Sequence, residues 1–344
     1  MTSVRFIINP ISGTRGKKKL IQYIEKIKSK LPHFQIEICQ TAYAGHAFEL
    51  AKEATLKDID IVVAVGGDGT INEIGRALIH TETALGIVPC GSGNGLARHL
   101  HIPLDGKQAI DAIFTGETTL IDYGTIEGRP FFCTCGVGFD AFVSMTFAKS
   151  GKRGPLSYLE NTLTNWLSYQ PETYEIEDEN GITHYKAFLI ACANASQYGN
   201  NAYIAPRASL SDGELDIIIL EPFTALDIPT LSFQLFNRMI DQNSHIKQLK
   251  GKKIIIRREK PGVYHFDGDP IEGGKNLEVN IIPQGLKVVI PTIVTTPINI
   301  SNLKELLGEF ISKNNFSYSF PDIPQEIKKL NKQLLEKLSG KKKK

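Results

Sequence analysis

The chain has 344 residues, 42% of them hydrophobic and 22% charged, with a net charge of +2. That length holds two domains, and the near-neutral balance excludes a general nucleic-acid binder. Five cysteines without regular spacing exclude a disulfide framework and fit a reducing cytosol, and no apolar run reaches the ~18 residues of a membrane span.

Met1-Thr2-Ser3 leads into Val4–Ile8, a short strand and not a signal peptide, so a cytoplasmic protein is expected. Asn9-Pro10-Ile11-Ser12-Gly13 ends that strand with turn residues. Arg15, Lys17, Lys18 and Lys19 then open a helix whose core face is Leu20, Ile24, Ile27 and Leu31. Positive charge at a helix N-terminus runs against the dipole, which suits either a docked anion or a solvated face. Phe34, Ile36 and Ile38 alternate as a second strand ending at Gln40-Thr41, and Ala47–Ala54 reads as a second helix. Ile61–Val65 is an apolar run of strand length, and Ile71, Ile74 and Leu78 follow at helical spacing. Between them Gly66-Gly67-Asp68-Gly69-Thr70 forms a glycine-rich turn at a helix N-terminus, where backbone N–H groups and the helix dipole favour a phosphate. An acid inside such a cradle points to Mg²⁺ bridging or to proton abstraction from a hydroxyl. The plainer reading makes Asp68 a helix cap. Ala84–Val88 is a fourth strand, Pro89–Gly95 a second glycine-rich turn, and Leu96 and Leu100 begin another helix. Strands alternating with helices predict a parallel sheet covered on both faces. The turns at Asn9, Thr41, Gly66 and Gly91 then gather at its carboxyl edge, where ligands bind.

After about residue 117 the rhythm becomes antiparallel. Thr118–Ile126 and Phe131–Cys135 read as one hairpin, and Tyr174–Glu177 and His184–Ala193 as another around Asn180-Gly181. Cys133 and Cys135 would share one strand face as small core residues. Leu215–Leu220, Lys253–Arg258, Val263–Asp267, Leu277–Ile282 and Leu286–Ile290 are further predicted strands. Helices are predicted near 139–168 and 224–241, the first with Leu156, Leu159, Leu163, Trp166 and Leu167 on an apolar side that suits core packing or a lipid. In the tail, Ser301 and Asp322 are predicted caps of two more helices, and Lys341–Lys344 end the chain. A basic amphipathic end can lie on an anionic membrane surface; a solvated terminus is the alternative.

With these segments placed, the sequence resembles the diacylglycerol kinase catalytic-domain family, which includes bacterial soluble lipid kinases, sphingosine kinases and ceramide kinases. The resemblance rests on Asn9–Gly13, Gly66–Glu73, Pro89–Asn94, Gly138-Phe139-Asp140, Ser211-Asp212-Gly213 and Phe266-Asp267-Gly268, in family order across roughly residues 4–291. It implies an N-terminal α/β domain of the NAD kinase and phosphofructokinase type, a C-terminal antiparallel β-sandwich, and a nucleotide site in the cleft between them. The implied division is an α/β nucleotide-binding domain over 1–122, a lipid-substrate sandwich over 123–285, and a return strand plus helical basic extension over 286–344. By motif, Asn9, Thr41, Gly66, Gly67, Asp68, Gly69, Thr70, Ile71, Asn72 and Ser92 carry over as nucleotide contacts. Asp212 carries over as a Mg²⁺ ligand, with the carbonyls of Ser209 and Glu214 beside it; a turn aspartate is the reading of the residues alone.

The implied activity is ATP- and Mg²⁺-dependent phosphorylation of a lipid hydroxyl at a membrane surface. Diacylglycerol is the first acceptor and a sphingoid base the second. A carboxylate would take the hydroxyl proton. The family's usual base is the Glu of a DGE motif, and this chain reads Asp267-Gly268-Asp269-Pro270. Asp269 is one methylene shorter, a reach lost of roughly 1.5 Å, and Glu272 is the nearby substitute. Asp68 belongs to the phosphate–metal site. Asp140 is a substrate-side carboxylate or a cap of the helix after it. Gly95 stands where many bacterial members have Asp. NAD kinase, a catalytically silent nucleotide- or lipid-binding regulator, and a Rossmann dehydrogenase are the rival readings. The last lacks the GxGxxG pattern.

Overall fold

The computed structural model describes residues 1–11, 16–150 and 169–292. The apolar side at 156–167, the two tail helices and Lys341–Lys344 lie outside the described residues, as does Arg15.

The first lobe is an α/β unit. Its strands are β1 (Thr2–Ile8), β2 (Phe34–Gln40), β3 (Ile61–Gly66) and β4 (Ala84–Pro89). They pair in parallel in the order β2-β1-β3-β4. Every residue of β3 and β4 is buried, as expected for strands covered on both faces. Between them run α1 (Lys17–Lys28), α2 (His46–Leu56) and α3 (Asp68–Leu78), followed by α4 (Gly95–His99) and α5 (Gly106–Thr115). Helix α1 packs with α5, and α2 with α3. Strand order reverses between β1 and β3, so a crevice opens between their carboxyl ends. Asn9 and Gly66-Gly67 stand at that crevice.

The second lobe begins with β5 (Glu117–Ile126) and β6 (Arg129–Phe131), then β7 (Thr134–Gly138) and α6 (Phe139–Ser150). It continues with β8 (Glu172–Asp178), β9 (Gly181–Ala187), β10 (Leu189–Ala193), β11 (Leu215–Leu220) and α7 (Ile228–Phe236). The remaining strands are β12 (Ile246–Gly251), β13 (Lys253–Arg258), β14 (Gly262–Phe266), β15 (Asp269–Gly273) and β16 (Asn276–Ile290). An antiparallel sheet of order β12-β11-β10-β7-β14-β15 faces the strands β13, β8, β9 and β5. Ile126, Val137, Tyr174, Ile217, Ile256 and Leu277 fill the space between the two sheets. The outer face of the six-stranded sheet is covered from α6 and α7 by Val143 and Leu231.

One strand joins the lobes. β16 pairs with β5 from Val279 to Ile290. On its other side its start pairs with β13 and its end with β4. Two strands were expected over this stretch, 277–282 and 286–290. They are one, with a register shift between Ile282 and Leu286. At that shift Asp122 accepts the N–H of Gln284 and of Gly213, each at 2.7 Å.

Two expected hairpin arms are each split between the sheets. Phe131–Cys135 breaks at Phe132-Cys133, because the amides of Phe132, Cys133 and Thr134 donate to the carboxylate of Asp267 and not to a neighbouring strand. Cys133 therefore packs in the core of the first lobe and Cys135 in the sandwich, so they do not share one strand face. The arm expected over 184–193 breaks at Phe188, whose N–H goes to Leu220 O at 2.7 Å.

Candidate active site

The two glycine-rich turns meet face to face. A Cβ on Gly91 would lie 2.6 Å from Cα of Gly67, and one on Gly67 would lie 3.1 Å from Cα of Gly91. Backbone packs on backbone here, which only glycine at both positions permits. Cys90 N donates to Gly66 O at 2.7 Å across the same seam. Asn94, in the left-handed region at φ 53°, braces the second turn by bonding Gly91 through both ends of its amide, each at 2.9 Å.

Asp68 sits in this seam. Its Oδ2 accepts the N–H of Asn94 at 2.9 Å and its Oδ1 that of Gly95 at 2.8 Å. It caps the start of α4 and sits one residue inside its own helix, whose cap is Gly67. Burial raises its carboxyl above the ordinary value, opposed by the two N–H donors and by Arg98. Each oxygen keeps a lone pair beyond these bonds. Gly69 is exposed and faces open space, and the first amides of α3 have no acceptor within the helix.

The other predicted nucleotide residues gather around this turn. Asn9 donates Nδ2 to Thr70 Oγ1 at 3.1 Å across the crevice between β1 and β3. Lys17 Nζ donates to Asn9 O, which brings one cation of α1 to the carboxyl end of β1. Thr41 N bonds Ile8 O at 3.0 Å at the same edge. Ser92 is exposed on the second turn, and Ile71 is buried in the core.

Asn72 faces the other lobe. Its Nδ2 donates to Asp267 Oδ2 at 2.8 Å. Asp267 also accepts from Phe132 N at 2.9 Å, Cys133 N at 2.7 Å and Thr134 N at 3.2 Å. Burial raises its carboxyl, and these four donors oppose the rise. Asp267 and Gly268 have φ of 47° and 86°, the two-residue hairpin turn that Asp-Gly favours. The turn delivers Asp269 at the start of β15. Asp269 is exposed, yet its carboxyl is pushed above the usual range, by desolvation first and then by Asp267, with Glu73 adding to it and Arg76 opposing. Glu272 lies three residues along β15, on its opposite face, and so does not substitute for Asp269.

Asp140 is buried at the start of α6. Its Oδ1 accepts Ala141 N at 2.8 Å, while Oδ2 lies 3.0 Å from Tyr198 Oη and 3.1 Å from His265 Nε2. The space at Gly95 is tight for any side chain. A Cβ there would meet Cys133 Sγ at 3.2 Å and the carbonyls of Gln197 and Tyr198 at 3.3 and 3.4 Å.

The predicted Mg²⁺ ligand Asp212 stands apart from this cleft. Lys250 Nζ lies 3.0 Å from Asp212 Oδ2, 3.6 Å from Asp216 Oδ2 and 3.8 Å from Glu214 Oε2. Asp216 and Lys250 are directly paired between β11 and β12, so the sheet itself carries the ammonium into the acidic group. Lys250 thus supplies a cation to the carboxylates of Asp212, Glu214 and Asp216. Among the described residues no group of three His, Cys, Asp or Glu side chains is set to hold a metal. Ser209 Oγ lies 3.4 Å from Ser211 Oγ on the same turn.

The model of the diacylglycerol kinase catalytic domain matches residues 3–126, and that of the YegS C-terminal NAD kinase beta sandwich-like domain matches 133–290. The protein named "Probable lipid kinase YegS" from Escherichia coli O127:H6 is 30% identical over 264 residues, 74% of this chain and 86% of that protein. The chain belongs to the diacylglycerol kinase catalytic-domain family. A diacylglycerol kinase of Bacillus subtilis is 29% identical over 277 residues, covering 78% of this chain and 90% of its own. The same fold is found in a Bacillus anthracis diacylglycerol kinase structure with a TM-score of 0.69, 19% identity, and coverage of 85% of this chain and 98% of that one. Against this family frame, sequence reasoning missed Asp267 and the partner it gives Asn72. The Asp-Gly turn at 267–268 was the available signal, since it fixes which aspartate faces back toward the first lobe.

Proposed function

We propose that this protein is an ATP- and Mg²⁺-dependent lipid kinase that transfers the γ-phosphate of ATP to a lipid hydroxyl at the cytoplasmic face of a membrane. The observation that carries this reading is the placement of Asp269. It is an exposed carboxylate with a raised pKa. The bond from Asn72 to Asp267 holds its hairpin beside α3, the helix whose N-terminus is built for phosphate.

On this reading residues 1–122 hold the nucleotide and 123–285 the lipid. Gly66–Thr70 and Ser92 take the triphosphate, with Asn9 and Thr41 at the same edge. The lone pairs left on Asp68 would hold Mg²⁺ carried in with ATP, which would offset charge on the phosphates. Asp269 accepts the hydroxyl proton as the lipid oxygen attacks. Asp140, buried in its network with Tyr198 and His265, serves the acceptor side through that network. On this reading lipid is met by surface contact, in which the basic end Lys341–Lys344 takes part; no helix among the described residues is long and apolar enough to cross a membrane. The name of the Bacillus subtilis relative supports diacylglycerol as the first acceptor, ahead of a sphingoid base.

The test is transfer of labelled γ-phosphate to a micellar panel of diacylglycerol, monoacylglycerol, sphingosine, dihydrosphingosine and ceramide, with NAD as control. Label on diacylglycerol that disappears in Asp269→Asn is expected. Label on a sphingoid base would move the acceptor, and label on NAD would reject lipid transfer. ATP binding without label on any acceptor would favour a silent regulator.

A further inference from the structure

We infer that this protein has a second anion site, behind the Gly91–Gly95 turn and distinct from the phosphate cradle of α3, that takes a phosphomonoester group. A cavity of about 150 Å³ opens there, lined by Arg98, His99, His101, Ser196, Gln197 and Arg238. It has room for a tetrahedral oxyanion with attached water.

Nothing that lines this cavity is acidic. Arg98 gives Nε to Gly93 O and Nη1 to Asn201 Oδ1, each at 3.0 Å. Arg238 gives Nη2 to Tyr203 Oη at 2.8 Å, with its guanidinium 4.3 Å from the centre of that ring. These partners are neutral, and neither arginine forms an ion pair among the described residues. Asp68 acts on Arg98 through space, but no carboxylate reaches either guanidinium at ion-pair distance, so the two groups leave positive charge that an anion would offset. Burial lowers the pKa of Arg98, opposed by Tyr203 and Asp68.

The second observation is Gln197. It is wholly buried. Its Oε1 accepts Asn201 N at 3.1 Å, which sets the orientation of the amide. Its Nε2 then has no partner among the described residues, and an unmet buried donor costs about 1–3 kcal/mol. His99 adds another donor. Its Nδ1 accepts Ser196 N at 3.0 Å, so the ring proton is on Nε2. The cavity is therefore lined by two arginines and a histidine, with the unmet amide of Gln197 buried in its wall. A phosphomonoester, with three terminal oxygens, meets more of them than a carboxylate can.

The site also reaches the cradle. Arg98 holds the carbonyl of Gly93, on the turn whose next two amides bind Asp68. An anion that fixes Arg98 firms that turn, so the occupant acts as an effector of the cradle. A free phosphate and the headgroup of an anionic lipid share the required chemistry.

The experiment is equilibrium binding of inorganic phosphate to the full chain, with the α3 cradle saturated by a non-hydrolysable ATP analogue. One phosphate per chain is expected. Arg238→Gln and His101→Asn should each weaken it at least tenfold and leave the analogue affinity measured without phosphate unchanged. Asparagine suits the left-handed φ of 55° at position 101, so this variant keeps the test sound if loss of Arg238 disturbs folding. A second arm uses dihexanoyl phosphatidate. Tenfold tighter binding than phosphate, lost in the same variants, assigns the site to a lipid headgroup; equal affinity assigns it to free phosphate. No phosphate bound with the cradle full, or binding unchanged in both variants, overturns the site. If the analogue does not bind, the proposed kinase fails separately, and the two variants still decide the phosphate question.

Discussion

Asn72 donates its side-chain N–H to Asp267 at 2.8 Å, across 195 positions of sequence. One end of this bond is in the helix that opens the phosphate cradle, and the other is in the hairpin turn that carries Asp269. The two lobes are thus registered to each other at the point where phosphate donor and acceptor would meet.

Asp267→Asn should destabilise the fold. The carboxylate accepts four N–H groups, whereas an amide offers one acceptor oxygen and turns an NH₂ toward the rest. Unmet buried donors of this kind make a loss of about 3 kcal/mol the expected size. The midpoint of urea unfolding checks this, and an unchanged midpoint would refute the account of Asp267 as the tie between lobes.

Asp269 should set the acidic limb of the rate profile. Its pKa is raised, so as pH falls the base form is lost earlier than for an ordinary carboxylate. kcat/KM should then decline above the usual Asp range. Asp269→Asn should lower kcat by roughly 10²–10⁴-fold and remove that limb, while Asp269→Glu should keep it. A pH profile of wild type and both variants decides the matter; an identical limb in Asp269→Asn would show that another group is the base.

Gly95→Asp should not restore a family feature but cost stability. The new side chain would press on Cys133 Sγ and on two carbonyl oxygens within 3.4 Å of its Cβ. Overpacking of this kind costs about 1–3 kcal/mol. Thermal unfolding of the variant reads it directly, and a gain in stability would mean that the turn at 197–198 yields more easily than its contacts indicate.

Lys250 should make the acidic turn independent of metal. Wild-type unfolding should be the same in EDTA and in Mg²⁺. Lys250→Met leaves Asp212, Glu214 and Asp216 facing one another without a cation. That variant should lose stability in EDTA and regain it when Mg²⁺ or Ca²⁺ is added. A wild-type midpoint that falls in EDTA would return this turn to the role of a metal site.

His99 should contribute to acid unfolding. Burial holds its pKa down to about 4, against an ordinary value near 6.5. The folded state therefore binds fewer protons than the unfolded chain between these values. Its contribution is fully present above about pH 6.5 and is lost as pH falls toward 4, by roughly 3 kcal/mol at most. His99→Gln should flatten the dependence of the urea midpoint over that window, and an unaltered slope would assign the acid sensitivity elsewhere.

The four strands and the first three helices of the first lobe were legible in the sequence because their signals are local, whereas α5 (Gly106–Thr115) was not predicted. Ile61–Val65 is apolar throughout, and Ile71, Ile74 and Leu78 repeat at helical spacing, so strand, turn and helix followed from neighbours alone. The crossings at Phe132 and Phe188 were not legible. They depend on where distant acceptors lie, Asp267 in one case and Leu220 in the other.

The candidate site divides the same way. Glycines at 66–69 and 91–95 announced a phosphate cradle, because each turn is a property of adjacent residues, whereas the hairpin at 267–268 was not read although Asp-Gly offered a local signal. Only the tertiary structure decided that Asp68 caps α4 and that Lys250 fills the acidic group at Asp212. Only it left Gln197 Nε2 without a partner among the described residues and gave Asn72 to Asp267. Each of these depends on chain closure over long separations, and no run of adjacent residues records which buried donor will find which acceptor.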